Sequence, residues 1–193
     1  MEWNSPHLPT LLTQVWTKLG QACNDTVDPW HTPVLGTLNG NRPALRTMVI
    51  RAVESTSRNL VCYSDIRAAK VRQMLDYPVA EWLFYDTQQG VQLRASGKTT
   101  VHNQNHVTKA AWKSKPVMNH LPYVSPLPPG TGLPASLPSN LPDLKEHELA
   151  YQNFAVIVTT IHLFDLLLLG ESKDRRAAFS WDGEQFSPTW MVP

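Results

Sequence analysis

The stretch Thr32-Pro33-Val34-Leu35-Gly36-Thr37-Leu38-Asn39-Gly40-Asn41-Arg42-Pro43-Ala44-Leu45-Arg46-Thr47-Met48-Val49-Ile50-Arg51-Ala52-Val53 decides the fold. Asn39-Gly40 lies between two runs rich in Val, Leu, Thr and Ile. That pair accepts the positive φ angles of a tight two-residue turn, so it predicts a hairpin. One strand is read over residues 32–38 and the other over residues 43–53. Upstream, Leu8, Leu11, Leu12, Val15, Trp16 and Leu19 recur at helical spacing, with Ser5-Pro6 as cap and first-turn proline. An amphipathic helix therefore opens the chain and ends before Asn24-Asp25.

Downstream, the polar loop 54–59 leads to a strand over residues 60–64. Asp65 can cap a short helix over residues 66–75, which Pro78 closes. Strands over residues 80–85 and 90–102 flank Thr87-Gln88-Gln89, and residues 105–112 read as a helix. Residues 115–145 hold 8 of the 16 prolines, with Gly130 and Gly132. Such a segment neither pairs in a sheet nor runs as a helix. Strands over 154–168, 177–181 and 186–192 follow, the last two joined at Asp182-Gly183. No βαβ alternation and no repeat is visible. The expectation is one domain over residues 1–193, mainly β with a few helices, closed as an antiparallel barrel that hides its edges, with a proline-rich excursion at 115–145.

Composition narrows the function. A chain of 193 residues, 42% hydrophobic and 17% charged, buries a real core. A net charge of +1 gives no bulk attraction to nucleic acid or to an anionic membrane, so anion recognition must be local. Cys23 and Cys62 form no CxxC pair and read as two free thiols in a reducing compartment. Residues 1–10 do not resemble a secretory signal, and the apolar run 154–169 is broken by Thr159, Thr160, His162 and Asp165. Cytoplasm is the expected location.

Arg42, Arg46, Arg51, Arg58, Arg67, Lys70 and Arg72 lie against only Glu54 and Asp65 between residues 42 and 72. Clustering alone also fits solvated arginines at strand ends. Arg67 and Lys70 are more pointed, because three-residue spacing at a helix start puts both on the face where the dipole and free N–H groups favour a phosphate. Arg46 can add a bidentate fork from the neighbouring strand. Arg46 and Arg51 differ by an odd number, so an ideal strand points them to opposite faces.

This pattern resembles the pyridoxine (pyridoxamine) 5′-phosphate oxidases and their FMN-binding relatives. Arg46-Thr47-Met48-Val49-Ile50-Arg51 is similar to the family's R-x-V-L-L-K strand. Cys62-Tyr63-Ser64-Asp65 is similar to its F-Y-T-N, Arg67-Ala68-Ala69-Lys70 to its S-R-K helix start, and Gln92-Leu93-Arg94-Ala95-Ser96-Gly97 to its Q-V-R-V-x-G. The gap from Tyr63 to Gln92 matches without insertion. The resemblance implies a six-stranded split barrel that forms a homodimer with FMN at the subunit interface. It implies phosphate binding by Arg46 and Lys70, with Arg67 replacing a family arginine absent at Ala68 and Ala69. The backbone of Thr47, Met48, Val49 and Ile50 would follow the isoalloxazine, and Tyr63 and Ser64 the ribityl and phosphate side. Gln92 would hydrogen-bond the ring, and Phe164 and Arg176 would reach it from the partner subunit. Arg51 would meet the substrate.

The oxidases orient their substrate with an R-x-H motif, and here Ser172-Lys173-Asp174 stands in that place. The expected activity is thus an FMN-dependent oxidoreductase with an altered substrate site; a flavin carrier or sensor without turnover is the alternative. A dimer that binds no flavin and only presents the proline-rich loop is a third reading. Other constellations are weaker. His102 and His106 have a metal-ligand spacing but no carboxylate or cysteine nearby, and no metal is expected. His120 and His147 read as surface histidines flanking the loop. Trp112 and Tyr123 read as packing residues that could stack on a substrate if the loop folds back.

Overall fold

A computed structural model describes residues 3–114, 117–132, 147–170 and 173–193. Helix α1 (Leu8–Ala22) precedes strands β1 (Val34–Asn39), β2 (Arg42–Thr47), β3 (Ala52–Glu54) and β4 (Asn59–Asp65). Helix α2 (Ala69–Asp76) leads to β5 (Val79–Asp86), β6 (Val91–Asn103) and α3 (His106–Lys113). A 3-10 helix (Val117–Tyr123), α4 (His147–Asn153), β7 (Phe154–Leu168), β8 (Arg175–Trp181) and β9 (Phe186–Met191) complete the described elements.

The strand expected over residues 43–53 is two strands. Neighbours in the sheet run β2-β1-β5-β6-β7-β4-β3, so two strands consecutive in sequence stand at opposite ends. The chain between them carries the sheet around to itself. The Met48 amide donates to the Pro33 carbonyl at 2.9 Å and the Ile50 amide to His31 at 3.1 Å, both on the β1 side. The Arg51 amide then donates to Val61 of β4 at 2.8 Å. Counting β2 and β3 as one stave gives the expected six-stranded antiparallel barrel, and β8 and β9 form an added hairpin outside it.

Strand β7 explains the split. Along one edge it pairs with β6 over almost its whole length. Its other edge pairs with β4 at residues 154–160 and with β8 at residues 163–168. The β6–β7 register shifts at Ser96/Gly97. A Cβ at Gly97 would lie 2.5 Å from Thr159 Cγ2 and 2.6 Å from the Thr160 carbonyl oxygen, so only glycine permits that approach.

The interior is filled by Leu35, Ile50, Leu60, Trp82, Phe84, Leu93 and Phe164, and α1 covers it with Leu11, Val15 and Leu19. A second cluster of Val61, Tyr123, Val124, Ala150, Phe154 and Val156 gathers where the 3-10 helix and α4 meet β4 and β7. The proline-rich segment therefore does contain helix, over Val117–Tyr123, with Pro122 in its last turn where a proline removes few bonds. Residues 115, 116 and 133–146 lie outside the described residues. Helix α1 starts at Leu8 with Pro9 in its first turn; Ser5 Oγ accepts from the His7 amide instead of capping the helix. No helix among the described residues is long and apolar enough to cross a membrane.

Candidate functional site

A cleft of about 320 Å³ opens where the barrel changes partners. It is lined by Thr47 at the end of β2 and Met48, Val49 and Arg51 in the link that follows, by Tyr63, Ser64, Asp65, Ala68 and Lys70 from β4 and its exit, and by Pro122, Tyr123 and Pro129. The link is irregular because its amides alternate between two pairings. Met48 and Ile50 donate towards β1 and Arg51 towards β4, whereas the Val49 amide has no backbone acceptor among the described residues. Ile50 itself is buried in the core, so only its backbone can face a ligand.

Arg46 and Arg51 part as strand parity requires. Arg51 lines the cleft and Arg46 passes beneath α2. There Arg46 Nη1 donates to Thr37 Oγ1 at 2.6 Å and to the Leu35 carbonyl at 3.2 Å, and Nη2 donates to Gln73 Oε1 at 3.0 Å. Thr37 Oγ1 and Gln73 Oε1 are themselves 2.6 Å apart and both residues are buried. This cradle fixes the guanidinium without neutralising it. Neither Thr37 nor Gln73 carried any sequence signal for the role, because one sits on β1 and the other on α2.

Lys70 stands in the first turn of α2, with Nζ 3.4 Å from Ser64 Oγ. Burial, and then the positive charge of Arg46, push its ammonium below the usual lysine range. Neither Arg46 nor Lys70 has a carboxylate within ion-pair distance among the described residues. Helix α2 has Ala68 as its N-cap, without a side-chain cap and without an acidic residue in its first turn. Two neighbouring cations and the positive end of a helix dipole thus converge, and the one carboxylate lining the cleft among the described residues, Asp65, is paired with Arg67 instead.

Arg67 does not join them. Helix α2 begins at Ala69, not at residue 66, so Arg67 and Lys70 are not one helical turn apart on a shared face. Asp65 accepts from the Arg67 amide at 2.8 Å and from its guanidinium at 3.0 and 2.7 Å. The ion pair raises the Arg67 pKa and consumes its charge. The arginine expected to replace the missing family residue is thus bound to a buried carboxylate two residues away.

Tyr63 and Tyr123 flank Arg51 in the cleft. Burial lifts the Tyr123 phenol to about 12 and raises Tyr63 as well, so both hydroxyls stay protonated. Tyr123 thus belongs to the cleft wall. His120 is buried, not on the surface; its ring stacks on Trp112 at 3.6 Å and 9°. His102 is the penultimate residue of β6, with Nδ1 3.1 Å from the Asn105 side chain.

The three residues expected to meet the flavin ring from elsewhere lie on the β6–β7–β8 region. Gln92 is half-buried on β6, opposite Tyr85 and Leu167. Arg176 on β8 is held by Asp165 at 2.9 and 2.7 Å, which lowers the Asp165 pKa and raises that of Arg176. Phe164 is corrected. It is fully buried, with Trp16 edge-on at 4.9 Å and Phe186 at 5.5 Å, so its ring has no face left for a cofactor. The β6–β7 bulge sets the alternation that turns Phe164, Leu166 and Leu168 inward. Ser172 lies outside the described residues.

The split barrel and the anion-receptive cleft at its strand crossover have counterparts among known proteins. Residues 13–103 match the family described as pyridoxamine 5'-phosphate oxidase, FMN-binding domain. The chain is 31% identical over 100 residues to pyridoxine/pyridoxamine 5'-phosphate oxidase 2 of Arabidopsis thaliana, a match spanning 47% of this chain and 49% of that protein. It spans about half the length of this curated relative. Among solved structures, a pyridoxamine 5'-phosphate oxidase-related, FMN-binding protein from Nostoc punctiforme is similar with a TM-score of 0.73 at 24% identity, covering 94% of this chain and 96% of the other. PhzG from Burkholderia lata, solved with tetrahydrophenazine-1-carboxylic acid, gives 0.70 at 18% identity over 98% and 95%. Residues 13–103 are thus similar to the FMN-binding domain of the pyridoxamine 5'-phosphate oxidase family, and that likeness points to FMN as the cofactor.

Proposed function

We propose that this chain is an FMN-dependent oxidoreductase of a small anionic substrate, working as a homodimer in the cytoplasm. The observation that carries the reading is the pair Arg46 and Lys70, drawn together at the uncapped start of α2 with no carboxylate partner among the described residues. A phosphate placed there meets two charges and free helix amides. Ser64 and Tyr63 continue the cleft along the ribityl chain, and the backbone of Thr47, Met48, Val49 and Ile50 borders the ring. The unpaired Val49 amide is its hydrogen-bond donor.

Bound FMN supplies the redox chemistry, passing hydride or electron equivalents between substrate and acceptor. Arg51 holds the anionic group of the substrate, and the protonated Tyr123 hydroxyl can donate to it. Gln92 and Arg176 serve the ring of a second copy across the dimer interface, Arg176 while sharing its charge with Asp165. Exposed Leu38, Leu45 and Val79 beside an apolar cleft of about 430 Å³ support a covered outer face. The free thiols support a reducing compartment: burial lifts Cys62 to about 12 and Cys23 to about 11.

The second reading, a carrier or sensor without turnover, is favoured by one observation. Ser172-Lys173-Asp174 offers neither the arginine nor the histidine with which the oxidases orient their substrate. Purified protein should release a yellow chromophore that co-migrates with FMN. A colourless protein that takes up no added FMN would reject both readings. Anaerobic mixing with pyridoxamine phosphate or a reduced nicotinamide separates them, since bleaching requires that the compound reduce the flavin.

A further inference from the structure

The proline-rich wall of the cleft is only partly held by its own bonds: Val124 N–H donates to the Leu121 carbonyl, Ser125 Oγ to that of Leu127 and Thr131 to that of Pro128. Pro122, Pro126, Pro128 and Pro129 have no N–H, and the carbonyls of Tyr123, Ser125 and Pro126 are met by side chains from outside the segment. Two side chains supply these donors. Asn153 Nδ2 donates to the Tyr123 carbonyl at 2.8 Å, while the Asn153 carbonyl accepts from the Ile66 amide at 2.7 Å. Arg67 Nη2 donates to the Ser125 carbonyl at 3.0 Å, and Nη1 lies 3.4 Å from that of Pro126. The fork is held on its other side by Asp65, whose side chain is only 5% exposed. Pro122, Tyr123 and Pro129, beside and between these anchors, face Arg51 and Lys70 across the cleft.

We propose that Arg67 is a positioning residue: it latches the proline-rich wall over the cleft and sets how fast flavin enters and leaves, without touching the phosphate. The inference rests on the flavin reading of the cleft. A latch and a phosphate ligand behave differently. Loss of a phosphate ligand weakens FMN and spares riboflavin, which has no phosphate; loss of a latch frees both flavins by the same factor.

The test uses the full chain with Arg67→Lys and Arg67→Gln, and the exposed α2 residue Arg72→Gln as control. Lysine keeps the charge but cannot fork between Asp65 and the two carbonyls. Dissociation of FMN and of riboflavin is followed by the return of flavin fluorescence on dilution, and amide hydrogen exchange is read at residues 121–127. Both Arg67 variants should release both flavins about tenfold faster, as for one lost charged hydrogen bond. Exchange should rise at residues 124, 125 and 127 and stay unchanged in β5 and β6. Faster loss of FMN alone would make Arg67 a phosphate ligand and overturn the latch. So would a loosened wall with unchanged release rates, or exchange rising through the barrel, which marks general destabilisation. If the wild-type chain takes up neither flavin, the cofactor reading fails separately, and exchange at the wall still judges the latch.

Discussion

Lys70→Met separates binding from stability more cleanly than any other change in the cleft. Among the described residues Lys70 makes one hydrogen bond, at 3.4 Å to Ser64 Oγ, and burial and Arg46 disfavour its charge more than Cys62 and Asp65 favour it. Its ammonium therefore adds little to the stability of the fold. Methionine keeps the length of the stem and removes the charge. The apo protein should gain up to about 1 kcal/mol, the common scale for relieving a site that is destabilised for function. For a chain of this size that is a rise in Tm of roughly 2–4 °C. FMN binding should weaken by about 1.5–3 kcal/mol for the lost charged hydrogen bond, roughly 10- to 150-fold in Kd. Riboflavin binding should hardly change.

The pH dependence has a fixed sign. With the folded pKa depressed, the native state sheds the Lys70 proton before the unfolded chain does, so wild-type stability rises with pH from that depressed pKa towards the ordinary 10.5. The stability advantage of Lys70→Met should shrink over the same window. Thermal melts of apo protein at several pH values and fluorescence titrations with both flavins measure these effects. A lower apo Tm, or equal loss of FMN and riboflavin, refutes the reasoning.

Three further outcomes are expected. Thr37→Val or Gln73→Leu should cost FMN about 1–2 kcal/mol of affinity by loosening the Arg46 cradle, although neither side chain lines the cleft; titration with FMN checks it. Gly97→Ala should destabilise by about 1–3 kcal/mol or more, seen as a lower denaturation midpoint, because its Cβ meets the Thr160 backbone at 2.6 Å. Phe164→Ala should cost about 3–5 kcal/mol of stability through the emptied core. If that variant instead kept its stability and changed only the flavin absorption spectrum, Phe164 would be a ring contact after all.

Local chemistry settled much of this protein. Gly40 turns the expected hairpin with a φ of +61°, although the two-residue loop is Gly40-Asn41 because Asn39 still pairs with Arg42; the Leu–Val–Trp spacing fixes α1, and the apolar run 154–168 defines β7 to the residue. The motifs around Arg46, Tyr63, Lys70 and Gln92 carry the resemblance to the FMN-binding domain that residues 13–103 match, because a ligand's chemistry restricts residue types and their separations.

What the sequence could not determine depends on neighbours distant along the chain. Residues 43–53 look like one strand, and the break at 48–51 arises only because that segment must leave β1 and join β4 to close the barrel. Phe164 is aromatic at the expected position, but a bulge at His162 in its own strand decides which way the ring faces. The cations between residues 42 and 72 are equivalent on paper. Tertiary structure assigns Arg67 to Asp65 and the proline-rich wall, and leaves Arg46 and Lys70 without a carboxylate among the described residues. Charge type is written in the sequence, whereas pairing depends on which groups the fold brings within a few ångströms, and here that pairing separates the proposed phosphate ligands from the proposed latch.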